Sequence, residues 1–239
     1  VSLVGGYGIT EDCPGFLCQK WSDAQLEATY EGPEVVQRRH LGITMTNPLF
    51  LRQMELWAAE LDQTAAADPA TGLCSLAQSI RLWLWTLDYL QKTNDPEGRK
   101  LFHPKRQGVT FPLADALCWI LGAYLFVQDV NELKAKGPGN PVVADGLPGL
   151  SAFYTDLAHM QCARAAAEVA RVCAELAFGY VSHADCTGGT CGAAHAAPAA
   201  LAQFAALRSS LDACLAGARL AKDRRSEEHT SELQSPYVI

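Results

Sequence analysis

The chain has 239 residues, 49% of them hydrophobic, 19% charged and 8% aromatic, which excludes disordered and collagen-like classes and leaves enough apolar side chain for a real core. Nineteen Lys and Arg against 26 Asp and Glu give a formal charge of −7, so no surface basic enough to follow a phosphate backbone is expected, and nucleic acid is not an expected partner. The nine cysteines are an odd number, and several sit in apolar stretches such as Ala116-Leu117-Cys118-Trp119, where Cys acts as a small hydrophobe; a reducing, cytoplasmic setting follows. The longest uncharged run, residues 186–207, is Ala- and Gly-rich and interrupted by Pro198, too weakly apolar to cross a bilayer, so no membrane span is expected.

The first residues, Val1-Ser2-Leu3-Val4-Gly5-Gly6, carry neither an initiating Met nor a signal stretch and are expected to lie inside a larger protein. Chemistry concentrates in residues 5–39. Gly5-Gly6-Tyr7-Gly8-Ile9-Thr10-Glu11 is followed by Pro14, then by Asp23-Ala24, then by Tyr30-Glu31-Gly32-Pro33 and Gln37-Arg38. A carboxylate between Tyr30 and Gly32 can approach a substrate closely because glycine leaves no side chain in the way, and burial there raises its pKa and makes it a better base.

In order and spacing these pieces resemble the C-terminal domain of the acyl-CoA dehydrogenase family. There a glycine pair leads into Gly-Tyr-Thr-Glu, a Pro and an Asp-Ala step follow, and Tyr-Glu-Gly-Thr precedes Gln-Arg. The resemblance implies an oxidoreductase with FAD as cofactor and an acyl-CoA thioester as substrate. Glu31 then matches the base that takes the α-proton while the β-hydrogen leaves as hydride. The backbone N–H at Glu31 helps hold the thioester oxygen, and Gly32 borders the substrate. Gly5, Gly6, Pro33 and Val35 match flavin-contacting positions. A homo-oligomer and an electron-transfer partner are further implications. The chain departs from the family pattern at Ser2, where a Gln is common, at Ser22, where an Arg is common, and at Pro33, where a Thr is common. Pro33 cannot donate a backbone hydrogen bond and Val35 has no polar side-chain group, so the flavin contacts are expected to be altered. A non-enzymatic member of the same superfamily, acting as a helical binding module, is the alternative expectation.

From Pro48 on, apolar residues recur at helical spacing between strong turn signals, and the expected fold class is all-α: the tail of the dehydrogenase-type C-terminal domain (1–47) followed by an antiparallel helical extension (48–224). Thr46-Asn47-Pro48 opens a helix expected over 48–66, stopped by Asp68-Pro69-Ala70-Thr71-Gly72. A second is expected over 73–93, with Leu76, Ile80, Trp83, Leu84, Leu87 and Leu90 on one stripe. The third, over 112–135, starts at Pro112 and faces Leu113, Leu117, Ile120, Tyr124 and Val127 inward. The fourth covers 151–181 and the fifth 198–222. Trp57, Trp83, Trp85 and Trp119 are expected to be core aromatics rather than a ligand box.

Two motifs of the extension bear on ligands. His183, Cys186, Cys191 and His195 could supply four tetrahedral Zn²⁺ ligands, but their spacing matches no standard finger, and a Gly-rich interhelical loop without metal is the expectation. His103-Pro104-Lys105-Arg106-Gln107-Gly108 is a compact basic turn, read as solvated, that could touch a CoA phosphate. Residues 225–239, beginning Arg225-Ser226-Glu227-Glu228-His229, look like a sequencing-library adapter read as codons; they are expected to be disordered and are left out of the functional reading.

Overall fold

The computed structural model describes residues 23, 34–67, 72–180 and 198–233, the last stretch with side chains to 226. Its helices are α1 (Glu34–Thr44), α2 (Pro48–Ala67), α3 (Leu73–Lys92), α4 (Gln107–Lys136), α5 (Leu147–Phe178), α6 (Pro198–Ala213) and α7 (Ala218–Leu233). A short 3-10 turn at Gly137–Gly139 and a lone bridge between Asn94 and Lys100 complete the described residues, among which there is no strand. The all-α bundle is as the periodicity dictates.

Local chemistry sets the first boundaries where the sequence places them. Asn47 Oδ1 accepts the Leu49 N–H at 2.9 Å, satisfying one of the four amides that a helix start leaves without a partner, while Pro48 loses nothing by lacking one. Gly72, at φ 74, supplies the left-handed residue from which α3 departs. That glycine also permits a close approach: a Cβ there would stand 2.7 Å from His159 Cδ2 in α5.

Three boundaries differ from expectation. α4 starts at Gln107 rather than Pro112, because the Arg106 carbonyl accepts the N–H groups of Val109 and Thr110 and both residues are buried. That docked first turn compensates for the ladder bond Pro112 cannot make. α5 starts at Leu147, with Pro148 suited to a first turn, and ends at Phe178, where Gly179 N–H bonds to the Glu175 carbonyl at 2.8 Å. The helix expected over 198–222 is two: Gly217, at φ 82, breaks it, and α7 then runs on to Leu233, so residues 225–233 are helical where disorder was expected.

The core lies among α3, α4 and α5, which pack on one another; α2 and α6 cover α3, α1 lies on α4, and α7 on α5. The successive pairs α2–α3, α3–α4 and α4–α5 pack on each other, burying apolar faces that could not stand alone in water. Leu76, Ile80, Trp83, Leu87 and Leu90 of α3 are fully or almost fully buried, as are Leu113, Leu117 and Ile120 of α4 and Val169 and Leu176 of α5. Trp83 is at the centre, its indole N–H donating to the Leu113 carbonyl at 2.9 Å. The other three expected core tryptophans are half-buried and pack against the core: Trp57 stacks on Tyr124, Trp85 on Tyr89, and Trp119 lies beneath Arg164.

α4, with its continuation to Gly139, is by length and composition apolar enough to cross a bilayer (mean hydropathy 1.6), a property that inspection of uncharged runs misses. In the bundle 44% of its most apolar window is buried, so packing covers part of that apolar surface. Cys74 at the start of α3 and Cys214 just after α6 form a disulfide across 140 residues of sequence, a pairing the reading of the cysteines as small hydrophobes did not anticipate.

Candidate functional site

The described residues begin to bear on the dehydrogenase-like motif at α1. Its first residue, Glu34, follows Pro33 directly, so Glu31 and Gly32 lie immediately upstream of the helix start. Gly5, Gly6, Glu31, Gly32 and Pro33 themselves lie outside the described residues, as do Ser2 and Ser22. Of the expected flavin set only Val35 is described. It stands 50% exposed in the first turn of α1, an accessible apolar side chain that offers no side-chain hydrogen bond.

Arg38, the arginine of the Gln37-Arg38 step, fixes α1 to the bundle. Its Nε donates to Asp115 Oδ1 of α4 at 2.8 Å and its Nη1 to Glu34 Oε2 at 2.9 Å. These two carboxylates push the guanidinium's pKa further up, so Arg38 stays charged at any working pH. α1 buries no residue fully, and Val35, Ile43 and the following Leu49 remain at least half exposed.

The basic turn is more built than its sequence suggests. Asp95, carried into the bundle surface between α3 and α4, is buried and accepts the N–H groups of Glu97 and Arg99 at 3.0 and 2.9 Å. Its second oxygen takes Arg99 Nε and Arg106 Nη1, both at 3.0 Å, and Arg106 also lies over the Tyr180 ring at 4.7 Å. Around this anchor Arg99, Lys100, His103, Lys105 and Arg106 line a cavity of about 480 Å³. The two arginines are committed to Asp95, while Lys100 and Lys105 are exposed and form no ion pair among the described residues. The arrangement can hold an anionic group against fixed positive charge.

Burial alone would raise the Asp95 carboxyl, but the hydrogen bonds from Arg99 and Arg106 outweigh it and hold the pKa at about 2, below the ordinary 3.8. A carboxylate whose folded value lies below its unfolded one stabilises the fold above about pH 4 and loses that contribution as the pH falls towards 2. Asp95→Asn is therefore expected to lower the urea midpoint at pH 6 and to match the unsubstituted protein near pH 2. A midpoint difference that stays constant over this range would contradict the assignment.

Of the free cysteines described, Cys118 is exposed on α4, and partial loss of solvent together with the Asp115 carboxylate pushes its thiol up. Cys162 and Cys173 are buried, and loss of solvent pushes both thiols up to about 12, so neither is a nucleophile; the Thr86 hydroxyl lowers Cys173 only in part. Among the described residues no cluster of His, Cys, Asp and Glu could hold a metal ion, and His183, Cys186, Cys191 and His195 lie outside them. Comparison with protein-family models, with curated proteins and with solved structures finds no match to this chain.

Proposed function

We propose that this chain supplies the catalytic base and a helical extension to a FAD-dependent acyl-CoA dehydrogenase. The observation that carries the reading is the ordered run of four motif pieces, from Gly5-Gly6 to Gln37-Arg38, whose last member ties α1 to α4 through Asp115. In sequence only Pro33 separates Tyr30-Glu31-Gly32 from α1, a helix that Arg38 ties to α4, which suits a residue that must keep its position during proton transfer. The exposed apolar side chains of Val35, Ile43 and Leu49 suit contact with the part of the enzyme that carries the flavin, or with another subunit.

In this reading the Glu31 carboxylate removes the α-proton of the acyl thioester, and the backbone N–H at Glu31 stabilises the negative charge that gathers on the thioester oxygen. Gly32 leaves room for the acyl chain beside the base. FAD, when bound, supplies the acceptor for the hydride that leaves the β-carbon. Val35 provides apolar contact to the ring system, and Pro33 has no backbone N–H to donate to it. An electron-transfer partner then reoxidises the enzyme.

The test is the flavin absorbance of the purified protein that carries this chain together with its flavin-binding domains, recorded anaerobically while acyl-CoA thioesters of different length are added. The expected result is bound FAD whose absorbance bleaches with at least one of them. A protein purified without flavin and unable to take it up would overturn the reading and favour the non-enzymatic helical module.

A further inference from the structure

A second cavity, of about 650 Å³, lies in the angle between α4, α5 and α7, and none of the motifs above accounts for it. Its apolar floor is built from Phe126 of α4 and from Leu157 and Met160 of α5, all half-buried. Arg164 continues the same α5 face, since positions 157, 160 and 164 recur at helical spacing, and Arg219 and Lys222 project one turn apart from α7. All three cations are exposed, so they stand at the mouth of the groove while the apolar side chains form its base. The α7 wall is clamped in place, because Arg224 Nη2 meets Asp156 Oδ1 of α5 at 2.5 Å.

The charges have no ion-pair partner among the described residues. Arg219 and Lys222 form no ion pair among the described residues, and Arg164 only rests its guanidinium over the Trp119 ring, 4.9 Å from the centroid. In a chain of net charge −7, three cations grouped on one apolar groove, with no ion pair among the described residues, are a local reversal of the surface charge. The arginine forks can hold a carboxylate with two parallel bonds, and the Lys222 stem can lie along an alkyl chain with its ammonium at the head group. The size falls within the range of about 300–1,000 Å³ typical of small-molecule sites.

We propose that the α4–α5–α7 groove binds a single-chain amphiphile with an anionic head, a long-chain carboxylate, with its tail over Phe126, Leu157 and Met160 and its head between Arg164, Arg219 and Lys222. The site is independent of flavin chemistry and stands or falls separately from the reading of Glu31.

Isothermal titration of the full chain with sodium dodecanoate, kept below its micellar concentration, tests it. Saturable binding at one site is expected. The double substitution Arg219→Glu with Lys222→Glu, at two exposed positions, should weaken it about tenfold or more with the circular dichroism spectrum unchanged. Met160→Trp, which fills the floor, should weaken it as well while leaving the cations in place. Dodecyltrimethylammonium and inorganic phosphate, each sharing only one half of the ligand's chemistry, should bind far less well. Absence of saturable binding, equal affinity for the cationic amphiphile, or affinity unchanged by the charge reversal would overturn the proposal. Preference for phosphatidylglycerol vesicles over monomeric dodecanoate would also overturn it, by making the groove a membrane-contact surface.

Discussion

Trp83→Ala is expected to destabilise the bundle by about 4 kcal/mol and to lower its melting temperature by about 10 °C. Trp83 has no exposed surface and lies in α3, which packs against α2, α4, α5 and α6. Truncation removes the largest fully buried side chain among the described residues and leaves a void bounded by neighbours on other helices, so no single element can move in to fill it. The lost indole N–H adds little to this. The Leu113 carbonyl that accepts it belongs to α4 and retains its place in the helix ladder, so no buried group is left wholly without a partner. Trp83→Phe, which keeps most of the volume and loses the hydrogen bond, should therefore cost only about 1–2 kcal/mol. Thermal denaturation followed by circular dichroism separates the two variants. Equal melting temperatures for Trp83→Ala and the unsubstituted protein would place Trp83 outside the core.

Helical periodicity made the interior of the fold legible. The stripe Leu76, Ile80, Trp83, Leu87 and Leu90 is buried as its spacing requires, and the boundaries of α2 and α3 follow from local signals at Asn47, Pro48 and Gly72 that act within one turn. Boundaries that tertiary contact decides were not legible. Pro112 looks like a helix start because its chemistry favours one, yet the burial of Val109 and Thr110 carries α4 further back. Gly217 looks tolerable inside a helix until a left-handed conformation is needed to turn α7 onto α5, with Cys214 joined to Cys74 in the preceding turn.

The same division holds for the sites. The turn from His103 to Gly108 is visible as a basic run, but Arg99, Lys100 and the buried Asp95 that organises it come together only through the fold of the α3–α4 connection. The α4–α5–α7 groove has no sequence signal at all, since Phe126, Met160 and Lys222 are remote in the chain. The dehydrogenase-like motif is the reverse case. It is read almost wholly from the order of residues 5–38, and among its expected contact residues only Val35 lies within the described structure.

The largest functional effect expected is that of Glu31→Gln. Glutamine keeps the size and shape of the side chain but cannot accept the α-proton at neutral pH, so proton abstraction loses its base while the surrounding contacts remain. The rate of flavin bleaching by an acyl-CoA thioester should fall about a thousandfold, equivalent to about 4 kcal/mol in the barrier. Flavin content should not change, because the carboxylate is not required to hold the ring system. The direct measurement is anaerobic stopped-flow at 450 nm (a wavelength of about the flavin absorbance maximum) on the flavin-loaded protein with and without this substitution. Loss of the bleaching phase with FAD still bound is the predicted result. Bleaching at an undiminished rate in Glu31→Gln would remove Glu31 from the chemistry and with it the central claim.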